Sequence, residues 1–313
     1  MKRWTLIAAT AASLLLAPLA QALDLQGHRG TRGLAPENTL ASFAKALGIG
    51  VTTLETDIAI TRDGVLVISH DSALNPDITR GPDGQYIAGR GPVIHHTAFD
   101  EIRRYDVGRI KPGTRYAGQF PEQVPVDGAR LPTLDELFAL VKKSGNTEVR
   151  FALETKLSPG APDETAAPEP FARALIAAVR AAGMAQRTSI LSFDWRTLQV
   201  VQREAPEIIT VYLTAQQRWL DNVGANDGAS PWTAGYKLRE HGGSVPRLIH
   251  AAGGKVWKAL GIQVLAWTVN EPALMGRILD LGVDGLITDR ADLARTVMAQ
   301  RGLPLPRTTP VTP

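Results

Sequence analysis

Short β-rich apolar segments alternate with amphipathic helical stretches along the chain, and eight strands remain once one hairpin partner is set aside. A single long Gly/Pro-rich stretch interrupts the rhythm. Together these observations predict an α/β fold, a (β/α)8 TIM barrel with a small insertion domain after the second strand region. Parallel pairing follows because a strand followed by a crossover helix re-enters the sheet in the same direction. At 313 residues and 44% hydrophobic content, the chain can fill one such core.

The first strand is read in LDLQGH, residues 23–28, followed by a helix from Thr39 to Leu47. In that helix Leu40, Phe43, Ala44 and Leu47 fall at i, i+3, i+4 and i+7, and Asn38 or Thr39 is available as the N-cap. TLETDIAI, residues 53–60, is the second strand, and VLVISHD, residues 65–71, is its hairpin partner. Helices are expected at Leu134–Lys143, Phe171–Ala182, Thr197–Ala205, Pro272–Leu281 and Asp292–Gln300. Strands are expected in VRFALETK, TSILSF, IITVYL, GKVW, QVLAWTV and DGLITD.

Two stretches break the alternation. Asp71–Pro132 is too long for an ordinary loop and is read as an insertion subdomain over the carboxyl mouth of the barrel, placed to help select substrate. Further on, only Lys258–Gly261 separate GKVW from the next strand-like segment, although a parallel crossover needs about a dozen residues. Either GKVW is not a barrel strand or the barrel lacks its sixth helix, and the sixth β/α unit is expected to be shortened.

The two ends read differently from the body. Lys2 and Arg3, the apolar run Leu6–Leu19 and the small-x-small site Ala20-Gln21-Ala22 form a signal peptide, residues 1–22, with cleavage near Leu23. The apolar run falls short of the ~20 residues of a spanning helix, and no cysteine could carry a lipid, so no stable membrane anchor is expected. Residues 302–313 read as a Pro/Thr-rich tail that resembles disorder. An exported chain without cysteine must be held by core packing, which suits a periplasmic α/β domain. Lys2 and Arg3 account for two of the 34 basic residues, so the mature chain stands near +1 against 31 acids, with no basic run to bind nucleic acid.

The chemistry-bearing residues sit on or at the ends of these strands. In TLETDIAI, Glu55 and Asp57 share one face while Leu54, Thr56, Ile58 and Ile60 share the other. Two carboxylates converging inside a barrel repel each other and lose hydration unless a cation or hydrogen bonds compensate. Solvated edge carboxylates are the alternative. FALETK repeats the arrangement with Glu154 and Lys156, a pair that on its own reads first as a structural salt bridge. Three carboxylates without a Cys/His cluster favour Mg²⁺ or Ca²⁺ over zinc, with Lys156 and Arg29 placed to hold an anion. Of six histidines, only His28 and His70 end strand-like runs, where they could act as base and acid; His95, His96, His241 and His250 read as surface or structural. The turn HRG leads into PENT, which is read chiefly as the start of the following helix.

Taken in order, HRG…PENT…E-T-D…ISHD…LET-K…WTVN…GLITD resembles the glycerophosphodiester phosphodiesterase family over roughly Asp24–Arg301. That resemblance implies a (β/α)8 barrel with an insertion after the HD motif. It implies Glu55, Asp57 and Glu154 as ligands of one divalent cation, Ca²⁺ or Mg²⁺. It further implies His28 as general base, His70 as general acid, Arg29 and Lys156 as phosphate contacts, and Trp267 at the substrate pocket. Asp289, Ser192 and Phe193 would brace loops. The implied reaction is hydrolysis of a small-molecule glycerophosphodiester, such as glycerophosphocholine, to glycerol 3-phosphate and an alcohol, with the substrate's own 2-hydroxyl attacking first. The chain departs from the family pattern in lacking an aromatic-Ser-Pro-Asn loop and a full helix after GKVW, and in having alanine in TDRAD where proline is common. Three other readings stay open: a phospholipase D-like enzyme acting on lysolipids, a metal-independent phosphatidylinositol lyase, and an exported phosphate-ester binding protein without turnover.

Overall fold

The computed structural model describes residues 22–214, 216–217, 220–221 and 263–313. Its main sheet runs in the order β6-β5-β4-β2-β1-β10-β9, and every pairing along that path is parallel. The strands are β1 (Asp24–Gly27), β2 (Thr53–Ile60), β4 (Arg150–Thr155), β5 (Thr188–Ser192), β6 (Ile209–Tyr212), β9 (Leu265–Ala266) and β10 (Gly285–Thr288). Helices pack on the outside, giving a (β/α)8 barrel. β3 (Leu66–Ile68) lies off this path and pairs antiparallel with β2, which is the expected hairpin. A small hairpin joins β7 (Gln216–Gln217) to β8 (Leu220–Asp221). The strand expected in GKVW, the shortened sixth unit at Lys258–Gly261, and His241 and His250 lie outside the described residues, as does the signal segment up to Gln21.

Helix Leu40–Ile49 begins where its capping residue dictates. Thr39 is extended and its side chain accepts from Ser42 N, which satisfies an amide that has no partner within the helix. Phe43, Ala46 and Leu47 then fall on the buried face, where Phe43 and Leu47 each stabilise by about 1.5–3 kcal/mol. Helix Leu134–Lys143 opens on a capping box between Thr133 and Glu136. The helix expected at Phe171 starts earlier, spanning Pro168–Ala181, because prolines in a first turn give up amides that would have no helical partner anyway. The following helix, Trp195–Glu204, also starts early, capped by Asp194.

The main core lies between the sheet and these helices and includes Leu25, Phe43, Leu54, Phe138, Phe151, Leu175 and Trp195. The insertion has a small core of its own in which Leu74, Ile94, Ile102, Val107 and Leu131 pack against Ala59 and Val67 of the hairpin. The tail departs from the disorder its composition suggests. Thr309 N donates to Leu47 O (2.8 Å), Asn146 Nδ2 to Thr309 Oγ1 (3.0 Å) and Lys143 Nζ to Thr312 O (2.9 Å), so the end of the chain is strapped to helix ends and loops of the barrel.

Candidate active site

β2 and β4 set the centre of the site. Side-chain alternation sends Leu54 and Ile58 into the helix-packed core and leaves Glu55 and Asp57 on the opposite face. In the parallel register Asp57 stands beside Glu154, and Glu55 beside Ala152. One carboxylate oxygen from each of Glu55, Asp57 and Glu154 lies within 4.8 Å of the others, and all three residues are buried. Burial and the neighbouring Asp57 push the Glu55 carboxyl well above its ordinary value, and burial raises Glu154 to about 7. Burial acts the same way on Asp57, but His70, Arg29 and Lys156 outweigh it and hold that group well below the usual range.

This donor set fits a hard divalent cation. Among the described residues Arg29 and Lys156 are the cations paired with Glu37, Asp57 and Glu154, while burial and the crowding of carboxylates disfavour the ionised forms of Glu55 and Glu154, a cost that a bound divalent cation would relieve. All three candidate ligand atoms are carboxylate oxygens, the donors that Mg²⁺ and Ca²⁺ prefer. The salt bridge read as an alternative for Lys156 is also present, with Nζ 2.8 Å from Glu154 Oε1 and 3.7 Å from Asp57 Oδ1.

The turn after β1 is shaped by its backbone. Arg29 has φ 50° and Gly30 φ 84°, the left-handed region that residues with a Cβ rarely occupy. A Cβ on Gly30 would meet Ser42 atoms at 2.5–2.8 Å. The Arg29 carbonyl is pinned by Asn38 N (3.0 Å) and Ser42 Oγ (3.0 Å), and its amide donates to Glu55 Oε2 (2.9 Å). The Arg29 guanidinium donates to Glu37 Oε1 through Nη1 (2.7 Å); its buried Nε, 3.4 Å from Asp57 Oδ2, has no hydrogen-bond partner among the described residues.

Each histidine is held by a carboxylate. His28 Nδ1 lies 2.7 Å from Asp289 Oδ1, at the ends of the paired strands β1 and β10. Burial works to raise Asp289, but His28 and Arg32 outweigh it and keep it ionised. An ionised carboxylate only accepts, so Nδ1 carries the hydrogen and Nε2, 4.0 Å from Glu55 Oε2, is the free basic nitrogen. Burial lowers the His28 pKa, which favours that neutral form. Asp289 also accepts from Arg32 Nε (2.9 Å) and Asn270 Nδ2 (2.8 Å). His70 Nδ1 lies 2.7 Å from Asp71 Oδ1; burial, Arg29 and Lys156 push His70 down to about 4, and hydrogen bonds from His70 and Asn75 overcome burial to hold Asp71 at about 2.

His28, Arg29, Glu55, Asp57, His70, Glu154, Lys156 and Trp267 all line one cavity of about 460 Å³. The eight positions singled out in the sequence therefore come together. The rest of the lining includes an apolar wall of Leu191, Leu213 and the edge-to-face pair Phe193 and Trp267, whose centroids are 5.5 Å apart. Phe193 thus faces the cavity in addition to any bracing role.

Several residues of the site escape sequence reading. Arg32 and Asp71 line the cavity, while Glu37 and Asn38 stand behind it and hold Arg29 and Asp57. Asn38 and Thr39, read as alternative caps, have separate tasks: Thr39 caps the helix, and Asn38, at φ 56°, donates to Asp57 Oδ2 (3.0 Å). A usable signal existed for Asp289, an acid at the carboxyl end of a barrel strand. His95 and His96 bind the backbone oxygens of Ile60 and Asp163, in keeping with structural roles.

Comparison with known proteins agrees with this fold. Residues 28–293 match the glycerophosphoryl diester phosphodiesterase family. A glycerophosphodiester phosphodiesterase from Caldanaerobacter subterraneus subsp. tengcongensis is 28% identical over 272 residues, spanning 84% of this chain and 92% of its own length. A solved protein from Silicibacter pomeroyi, provisionally assigned as a glycerophosphoryl diester phosphodiesterase, superposes with a TM-score of 0.78 at 33% identity, covering 91% of this chain and 95% of that one. A phosphodiesterase from Oleispira antarctica, solved with the product sn-glycerol-3-phosphate, shares the fold at a TM-score of 0.59 and 22% identity, covering 89% and 97% of the two chains. With the match spanning the barrel from His28 onward and the barrel carrying this site, the chain belongs to the glycerophosphoryl diester phosphodiesterase family and is a phosphoric diester hydrolase.

Proposed function

We propose that the chain is a periplasmic, metal-dependent hydrolase of glycerophosphodiesters such as glycerophosphocholine, releasing glycerol 3-phosphate and an alcohol. The observation that carries this reading is the three-carboxylate cluster sharing one cavity with two carboxylate-held histidines. A non-catalytic binder has no use for two such histidines. A metal-independent lyase has no use for the cluster. Export rests on the residues 1–22 pattern and the absence of cysteine.

In this reading Glu55, Asp57 and Glu154 hold one divalent cation, Ca²⁺ or Mg²⁺, which when bound offsets the phosphodiester charge and the charge that builds in the transition state. Arg29 and Lys156 complete the anion site. His28, neutral with Nε2 free, takes the proton of the attacking hydroxyl while Asp289 stabilises the resulting imidazolium. His70 protonates the leaving alkoxide. Its low pKa in the free protein comes from burial and from Arg29 and Lys156, and a bound monoanion works against the last two, which favours the protonated form when substrate is present. The glycerol 2-hydroxyl is the first nucleophile in this scheme, giving a cyclic phosphate that water then opens. The apolar wall with Phe193 and Trp267 receives the carbon skeleton.

A coupled assay for glycerol 3-phosphate from glycerophosphocholine, run with chelator and then with added Ca²⁺ or Mg²⁺, tests the proposal. Product formation should vanish in chelator and return with one of the cations. Full activity in chelator would refute the metal-dependent reading, and faster release of choline from a lysolipid would move the substrate to the phospholipase D-like class.

A further inference from the structure

The insertion was expected to select substrate from the barrel mouth, yet among its described residues only Asp71 and Ser72, at its very start, line the cavity. Its other contact with the site is indirect. The short helix Arg115–Gln119, capped by the Thr114 side chain, puts Tyr116 and Phe120 four residues apart on one face. That face covers the turn that carries Arg29 and Arg32.

The contacts there are specific. The Tyr116 hydroxyl donates to Glu37 Oε2, and the other oxygen of the same carboxylate accepts from Arg29 Nη1 at 2.7 Å. Arg32 Nη1 donates to the same hydroxyl at 3.3 Å, and the Arg32 guanidinium lies 4.6 Å from the centroid of the Phe120 ring. Gln123 Nε2 donates to Arg32 O (2.7 Å) and Val124 N to Leu34 O (3.1 Å), so the segment after the short helix is fastened to the same turn. Glu37 and Arg29 are both buried, which makes their pairing sensitive to any oxygen left without its second partner.

We propose that Tyr116 is a positioning residue for the anion site: its hydroxyl fixes Glu37, and Glu37 fixes the Arg29 guanidinium against the cavity wall. The inference rests on the reading of Arg29 as a phosphate contact. A carboxylate held by one partner alone can rotate and draw the guanidinium away from the cavity. Held at both oxygens, it offers Arg29 one geometry. Burial, then the Glu37 charge, raises the Tyr116 pKa, so the phenol remains a donor at working pH. Through Tyr116 the insertion thereby acts on substrate affinity from outside the cavity.

The test measures KM, kcat and the inhibition constant of glycerol 3-phosphate for Tyr116→Phe, Glu37→Gln, Arg29→Lys and the double variants, with thermal midpoints as a check on folding. Tyr116→Phe should raise KM and the inhibition constant about tenfold, the effect of one hydrogen bond to a charged group, while kcat stays within about threefold. Added to Arg29→Lys or Glu37→Gln, it should do nothing further, because the relay is already broken. An unchanged inhibition constant in Tyr116→Phe would overturn the proposal, as would the same penalty in the Arg29→Lys background, which would mark a purely structural role. If Arg29→Lys itself binds glycerol 3-phosphate normally, the phosphate-contact reading fails first, and this proposal falls with it.

Discussion

The two histidines of the site have the same kind of partner in different surroundings. His28 and Asp289 come from the ends of β1 and β10, whose register pairs Gly27 with Thr288, and their side chains are 12% and 2% exposed. Arg32 and Asn270 hold the carboxylate from two further directions. His70 and Asp71 are neighbours in the chain, beyond β3, where the chain leaves the hairpin for the insertion, and they are 34% and 43% exposed. Asn75 is the side chain that steadies Asp71 there. One dyad is set by the sheet and the other by a local turn. The difference suits their proposed work, since a base must stay neutral and fixed while an acid must recharge from solvent.

The sharpest way to break this comparison is to remove each imidazole. His28→Ala and His70→Ala should each lower kcat about 10²- to 10⁴-fold on glycerophosphocholine. They should part company on a p-nitrophenyl phosphodiester, whose leaving group needs no acid. There His70→Ala should recover most of its rate while His28→Ala does not. Equal losses on both substrates would refute the assignment of base and acid.

A smaller effect separates the partners. Asp289→Asn removes a buried charge that fixes the His28 tautomer and should lower kcat about a hundredfold, within the range for lost orienting carboxylates. Asp71→Asn, at an exposed position, should cost only about threefold, because solvent can take over part of its role. A larger loss at Asp71 would show that the local dyad is the more demanding one.

The smallest effect lies far from both histidines, where the tail is strapped to the barrel. Thr309→Val removes the hydroxyl that accepts from Asn146 and keeps the backbone bond to Leu47. It should cost about 1 kcal/mol, a fall of roughly 2–4 °C in thermal midpoint, with kcat and KM unchanged. A change in activity would mean that the strap communicates with the cavity.

Sequence reading worked best where the signal is periodic or local. The alternation in TLETDIAI and FALETK placed Glu55, Asp57, Glu154 and Lys156 on the inner face before any coordinates, because a strand allows its side chains only two directions. Helix starts in the prolines before Phe171 were read late, since a proline's missing amide matters only beyond the first turn. PENT was legible as a helix entry, but the separate service of Asn38 to Asp57 depends on a left-handed backbone that composition does not announce.

By itself, then, the sequence determined the alternating barrel units, the hairpin, the insertion's place and the eight residues that meet in the cavity. All but Trp267 follow from local periodicity and strand ends; Trp267 comes from the family resemblance. Only the tertiary structure decided which side chain holds which. Asp289 reaches His28 across 261 positions, Tyr116 reaches Glu37 across 79, and Thr309 reaches Asn146 across 163. Such pairs are fixed by strand register and by the packing of the insertion and tail on the barrel, and nothing local in the chain encodes a partner that far away.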